Sequence, residues 1–275
     1  MGAVVQRNAA SLWPYRLITH ILETLLADPG KFNLQTRTPV VDIQRHGNSW
    51  ILHTQRGQIA ARQVLVACNG YTSRILPDFT HLIVPVQGQV ASLTPTWRQE
   101  KPLGHSYGFL SSGGPPMDDY LIQTKGGTNE LVYGGGRTLG RNKGWGNSSD
   151  EEVDPAVSAH LRKNLNNALT PGEPGEEMPA SYEWTGIMGF SADANPWVGE
   201  VPTKFLGGRG LFLCGGYTGH GMPAAGLSAK AVVGMMQGED ETDLPAEFRL
   251  TEDRVERALS YRLRVDDFDE LLCPV

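Results

Sequence analysis

Apolar and polar positions alternate in different rhythms along the chain, and the changes of rhythm divide it. In residues 11–27, Leu17, Ile18, Ile21, Leu22, Leu25 and Leu26 recur at helical spacing, which predicts an amphipathic helix stopped by Asp28-Pro29-Gly30. Three short alternating runs follow at 40–44, 49–54 and 58–60, separated by His46-Gly47-Asn48 and Gln55-Arg56-Gly57. Turn residues between runs of period two predict a small meander. Residues 64–68 are apolar without interruption and end at Asn69-Gly70, the pattern of a strand covered on both faces in a parallel sheet.

From 80 to 184 the rhythm changes. Strand-like runs at 84–93, 107–111, 120–124 and 131–134 are divided by glycine and proline turns, so a mostly antiparallel sheet is expected. Asp118-Asp119 reads as a turn. Asp154-Pro155 opens a helix running to about 169, the aspartate placed to cap it and the proline inside its first turn. From 185 the parallel style returns, with a strand at 211–214, a glycine-rich run at 215–222 and a helix at 223–237. The expected fold class is α/β plus α+β. Segments 1–79 and 185–240 form one domain, 80–184 an inserted domain with a mostly antiparallel sheet, and 241–275 an acidic tail lying on the surface or partly loose.

Composition removes several classes of function. The net charge of -6 comes with no basic stripe, so nucleic-acid binding is not expected. No apolar run of about 18 residues occurs, so no membrane span is expected. Residues 1–10 lack the basic and apolar stretches of a secretory signal, and a cytoplasmic protein is expected. Cys68, Cys214 and Cys273 are too scattered for a disulfide framework or a zinc site, and no metal is expected. Asn147-Ser148-Ser149 is a glycosylation sequon by chance. The 33 glycines sit in short clusters, which points to tight turns and close backbone approaches.

The most informative unit is the strand, glycine loop and helix at 211–237. Glycines after a strand let backbone approach a ligand, and the helix start presents free N–H groups and a positive dipole end. Ala224, Ala225, Gly226, Ser228 and Ala229 let the helix sit close to a sheet. A tight structural turn is the other reading. The spacing is not the Gly-x-Gly-x-x-Gly of dinucleotide sites, and neither is that of residues 134–140, a strand-end turn.

Four stretches together resemble the D-amino-acid-oxidase-like superfamily of FAD-dependent oxidoreductases. They are Val64-Leu65-Val66-Ala67-Cys68-Asn69-Gly70-Tyr71, Pro85-Val86-Gln87-Gly88-Gln89, Trp184-Thr185-Gly186 with Asp193, Pro196 and Gly199, and Gly215-Gly216-Tyr217-Thr218-Gly219-His220-Gly221-Met222. The resemblance implies a partial FAD-binding domain of the glutathione-reductase type with an inserted substrate-domain sheet. It implies that the Val41 backbone meets the adenine side of FAD and that Cys68, Asn69 and Gly70 line the cofactor cleft. Gly216, Tyr217 and Thr218 belong to the closing flavin loop, and Gly219, His220, Gly221 and Met222 lie along the pyrimidine edge of the isoalloxazine. FAD is expected to be noncovalent, because residues 186–193 contain no cysteine. The front strand, Gly-x-Gly-x-x-Gly turn and helix of the family have no counterpart here.

The implied activity is oxidation of the C–N bond of an amine or amino acid by hydride transfer to flavin N5. Other readings are a non-redox remnant or binding protein, and one half of a split flavoenzyme completed by another chain. Candidate catalytic residues are His220, Arg137 and Tyr107. His220 reads as a base or as a loop residue contacting flavin, and Arg137 as the partner of a substrate carboxylate or as a solvated surface residue. Tyr107, Phe109 and Tyr120 wall a substrate pocket or fill the core. Cys68 and Cys214 read as small buried residues.

Overall fold

The computed structural model describes residues 4–95, 101–110, 118–124, 129–169, 177–205, 207–239 and 243–260. After helix α1 (Pro14–Leu26), the meander forms from β1 (Val40–His46), β2 (Ser49–Thr54) and β3 (Gly57–Ala61), all antiparallel. Its anchor is Trp50, which is buried and donates its indole N–H to the Arg209 carbonyl at 3.2 Å.

The second sheet joins β4 (Val64–Val66) in parallel to β11 (Leu211–Gly215), with β10 (Trp197–Glu200) antiparallel on the other side of β11. The uninterrupted apolar runs are explained by two cores. Val64, Val66, Leu211 and Leu213 join Trp50, Phe79 and Trp197 on one face. Phe212, Cys214 and Val198 meet Ala231 and Val232 of helix α4 (Gly221–Gln237) on the other.

The third sheet is antiparallel throughout, in the order β6 (Tyr107–Leu110), β7 (Asp118–Gln123), β8 (Leu131–Gly134), β5 (Ile83–Leu93), β9 (Ala180–Ser191). Helix α3 (Pro155–Leu169) covers one face, setting Val157, Leu161 and Leu165 against Ala91, Leu93, Leu121, Leu131 and Tyr133. Asp154 caps α3, its Oδ1 accepting from the Ala156 N–H at 2.9 Å and the Val157 N–H at 3.3 Å. Truncating a fully buried leucine such as Leu161 costs about 2–5 kcal/mol.

Several expectations are corrected. Asp118-Asp119 opens β7 and is no turn. The strand run at 64–68 stops at Val66, Cys68 is exposed and Cys214 alone of the two is buried. Cys273 and Ser111 lie outside the described residues. Residues 180–191, with no predicted strand, form the long strand β9, and the line drawn at 184/185 falls inside it. Glycines 186 and 189 interrupt the side-chain alternation there, so backbone pairing with β5 carries a strand that side-chain pattern does not announce. Helix α4 starts at Gly221, two residues before the apolar rhythm does. The described part of the tail is no loose segment, because helix α5 (Glu252–Ser260) buries Arg254, Val255 and Ala258.

Candidate functional site

The carboxyl ends of β4 and β11 lie side by side, and the chain turns away after each, at the end of the strands where open α/β sheets hold ligands. Asn69 ties the two turns together. Its backbone is left-handed at φ 44°, and its Oδ1 accepts the Gly216 N–H at 3.0 Å and the Tyr217 N–H at 3.4 Å. Strand β9 crosses this junction at very close range. A Cβ on Gly70 would stand 2.8 Å from the Met188 carbonyl oxygen, so only glycine fits there.

The loop from 215 to 222 is stitched to β9 through Thr218. Its N–H donates to the Gly189 carbonyl at 2.8 Å, and its Oγ1 accepts the Ser191 N–H at 3.0 Å. Thr218 is buried with φ 51°, and Gly216 and Gly219 flank it at φ 78° and 77°. This run of left-handed residues folds the turn back so that Gly219 faces Met188 and Phe190 of β9, at 3.7 and 3.9 Å from the position a Cβ would take.

His220 is exposed, and its Nδ1 stands 2.9 Å from the Thr218 carbonyl. A carbonyl is an acceptor only, so that nitrogen carries the proton and the ring is oriented by its own loop. Helix α4 then begins with no side-chain cap on its first N–H groups, and Met222 stands exposed beside them. Behind the loop, Cys214 Sγ and the Tyr217 hydroxyl are 3.2 Å apart, and burial raises the pKa of both, so both are neutral near neutrality.

Asp193 and Arg254 brace this region from below. Arg254 donates from Nε to Asp193 Oδ2 at 2.8 Å and from Nη2 to Oδ1 at 2.9 Å, and its guanidinium lies 3.7 Å from the Trp197 ring centre. Ser191 Oγ donates to Asp193 at 2.9 Å and accepts the Trp197 indole N–H at 2.8 Å. The sequence reading missed Arg254, because an arginine in an acidic amphipathic stretch carries no local sign of burial.

Arg137 is not a surface residue. It is 6% exposed, with Nε 3.6 Å from Asp118 Oδ2, Nη1 donating to the Lys143 carbonyl at 3.3 Å, and the guanidinium 5.6 Å from the Phe190 ring centre. Its partner strand hides a second polar group on the helix side. Asp119 is buried and accepts from the Tyr133 hydroxyl at 2.5 Å and the Gly136 N–H at 2.7 Å, with His160 Nε2 at 2.7 Å. Burial would raise the Asp119 carboxyl, but the hydrogen bonds from His160, Tyr133 and Gly136 hold it below the ordinary carboxylate range.

Tyr107 and Phe109 also belong to that helix-side core, stacked with ring centres 6.3 Å apart, so Tyr107 stands away from the face that Arg137 and Phe190 share. Tyr120 alone of the three tyrosine and phenylalanine candidates faces the open side of the sheet. The structure therefore brings Asn69, Gly70, Gly216, Tyr217, Thr218, Gly219, His220, Gly221 and Met222 into one junction, with Cys68 at its rim. Val41 stands on β1, lining a cleft of about 210 Å³ with Arg74 and Leu76. No group of side chains suited to a metal ion occurs among the described residues.

Parallel strands whose carboxyl ends carry a glycine loop and an uncapped helix start, with an antiparallel sheet beside them, have a flavoenzyme-type architecture. Residues 1–235 match the family of FAD dependent oxidoreductases, DAO, and the chain belongs to that family. It is 25% identical over 225 residues to a probable oxidoreductase OrdL of Rhizobium meliloti (strain 1021), covering 79% of this chain and 46% of that one. It is 23% identical over 244 residues to the gamma-glutamylputrescine oxidoreductase of Escherichia coli (strain K12), covering 87% and 51%. Among solved structures, glycine oxidase from Geobacillus kaustophilus superposes with a TM-score of 0.61 at 20% identity, over 82% of this chain and 55% of that one. Iminodiacetate oxidase from Chelativorans sp. BNC1 superposes with a TM-score of 0.60 at 16% identity, over 86% and 58%. The chain spans about half the length of the curated relatives it matches. No helix among the described residues is long and apolar enough to cross a membrane.

Proposed function

We propose that this chain forms the flavin-ring side of an FAD-dependent oxidoreductase that acts on the C–N bond of an amine or amino acid. The observation that carries this is the start of α4, whose N–H groups no side chain caps, standing behind a turn that Asn69 and Thr218 hold in a left-handed shape. Those N–H groups and the helix dipole fit an electron-rich carbonyl edge such as the pyrimidine side of an isoalloxazine. When bound, FAD supplies a hydride acceptor at N5 for the carbon beside the substrate nitrogen, the resulting imine then hydrolysing.

The chain's own residues do the rest. Gly219, His220, Gly221 and Met222 orient the ring edge, Asn69 and Gly70 hold the opposite turn, and the Val41 backbone meets the adenine side. Met188 and Phe190 keep water from the floor of the junction. The cofactor is held without a covalent bond, since residues 186–193 contain no cysteine and Cys214 is tied to Tyr217. The test is a titration of the purified chain with FAD, followed by the visible spectrum and then by peroxide release with an amine and amino-acid panel. A folded protein that stays colourless through the titration sinks the proposal and favours the non-redox reading.

A second reading has a specific support. Helix α1 buries no residue, and Leu17, Ile18, Ile21 and Leu25 of its apolar stripe are 43–54% exposed. Such a stripe suits a covering partner, and a complementing chain that supplies further FAD contacts is the partner this reading names. Yellow colour that develops only when a fragment carrying a Gly-x-Gly-x-x-Gly unit is added would identify it.

A further inference from the structure

Helix α5 and the residues just before it lie beyond the 1–235 stretch that matches the family, yet they close on the turn that ends β9. Arg249 and Val198 of β10 form a parallel bridge, and the Leu250 N–H donates to the Val198 carbonyl at 2.9 Å. This seats α5 so that Arg254 enters the turn between β9 and β10. Besides its two bonds to Asp193, Arg254 donates from Nη2 to the Asn195 carbonyl and from Nη1 to the Pro196 carbonyl, each at 2.9 Å. All three guanidinium nitrogens are thus engaged by one turn, and the residue is 4% exposed.

The geometry so held is one the backbone resists. Ala194 has φ 62°, a left-handed shape that alanine adopts reluctantly. Thr218 of the flavin loop is a second such residue at φ 51°, and its branched Cβ makes the shape less favourable still. The two share a neighbour in Ser191, which is fully buried. Its carbonyl accepts the Ala194 N–H at 3.1 Å, and its own N–H is the donor to Thr218 Oγ1. Its hydroxyl is fixed between Asp193 and the Trp197 indole. A path of direct bonds therefore runs from Arg254 through Asp193 and Ser191 to Thr218, one residue before Gly219.

Packing of α5 does not call for this path. Leu250, Val255 and Ala258 join the core around Trp50 and Trp197 by apolar contact. An arginine adds what apolar contact cannot, a planar fork that fixes one carboxylate and two carbonyls in a single orientation.

We propose that Arg254 is a positioning residue for the flavin loop, acting through Asp193 and Ser191 to hold Thr218 and the following backbone in the shape that receives the cofactor. The receiving role rests on the flavin reading, and the ordering of the loop does not. Segment 249–258 then belongs to the site although it lies outside the family-matched residues.

The test compares Arg254→Met and Arg254→Lys with Lys204→Met. Lys204 pairs with Glu252 and Glu256 at the surface of α5, so its loss disturbs the helix without reaching Asp193. In the chain without added FAD, amide exchange is read at Ser191 and Thr218, with Leu213 and Val232 as core references. Arg254→Met is expected to speed exchange at Ser191 and Thr218 at least about tenfold relative to those references. Arg254→Lys keeps the charge and loses the fork, and is expected to fall between Arg254→Met and the parent. Lys204→Met is expected to leave the ratio unchanged. FAD titrations followed by flavin fluorescence are expected to give the same order, with Kd raised at least about tenfold in Arg254→Met. Circular dichroism reports that each variant is folded, and Arg254→Lys carries the comparison where Arg254→Met does not fold.

Exchange at Ser191 and Thr218 that keeps the parent ratio to the core references in the folded Arg254 variants overturns the proposal. Loop exchange that speeds as expected in a chain that takes up no FAD keeps the path and removes the flavin reading. FAD uptake that neither Arg254 variant changes keeps the flavin reading and removes the cofactor role of Arg254.

Discussion

Asn69 combines two requirements that few side chains meet together. A left-handed backbone at φ 44° is tolerated by glycine, asparagine and aspartate, and of these asparagine offers the Gly216 and Tyr217 N–H groups an acceptor without adding a charge. Asn69→Ala is therefore expected to lose about 1–3 kcal/mol from the unpaired donors and about 1–2 kcal/mol from the backbone. Asn69→Gly should lose only the first part. Urea melts of both variants separate the two contributions, and equal losses would show that the backbone term is absent. Asp119 makes a different demand. Its carboxyl is held below the ordinary range in the folded state, so its stabilisation is complete above about pH 4 and drains away as the pH falls further. Asp119→Asn should be less stable than the parent near neutrality and flatter in its acid limb, measured by denaturant melts from about pH 7 to about pH 3. Asparagine at 69 sits in a readable Asn-Gly pair after an apolar strand, so its place was legible in sequence. Asp119 was read as a turn residue because its partners Tyr133, Gly136 and His160 lie 14 to 41 positions away.

Elements were legible where their own side chains set the pattern. The meander, β8 and α3 follow local alternation, capping and turn chemistry, and the sequence boundaries agree with the observed ones to within about two residues. Strand β9 and helix α5 escaped because other elements define them. Strand β9 pairs with β5 from Ile83↔Ser191 to Leu93↔Ala180 across two glycines that erase its alternation. Helix α5 is short and highly charged, and it docks by Arg254 entering a site formed by Asp193, Pro196 and Trp197. Arg254→Met would leave Asp193 partly buried without its cation, at a cost of about 3–5 kcal/mol. The same substitution should loosen the turn between β9 and β10, and with it the Ser191 N–H that holds Thr218. Differential scanning calorimetry tests the first effect, and amide exchange at Thr218 and Ser191 tests the second. A lowered Tm with unchanged exchange would confine Arg254 to stability.

At the level of the whole molecule, the sequence disclosed the family and the parallel strand, loop and helix unit, because those are contiguous runs. It did not disclose which face of the antiparallel sheet each aromatic occupies, since Tyr107 and Tyr120 differ only in strand register. Nor did it show that the predicted helix α1 keeps its apolar stripe in the open. That stripe makes a prediction about association. Ile21→Glu with Leu25→Glu should shift stability by no more than about 0.5 kcal/mol per site, because neither residue is buried, while reducing self-association. Size-exclusion chromatography across a concentration series checks it, and a large fall in Tm would mean that the stripe is covered within the fold.

Strand β9 carries Trp184 at one point of its length and, four residues on, Met188 beneath the Gly219 turn. A strand advances about 3.3 Å per residue, so the two lie about 13 Å apart on a single backbone whose pairing with β5 leaves it no freedom to stretch. The interval is therefore fixed, and it can change only by a register slip of two residues, because a slip of one would turn both side chains to the other face of the sheet.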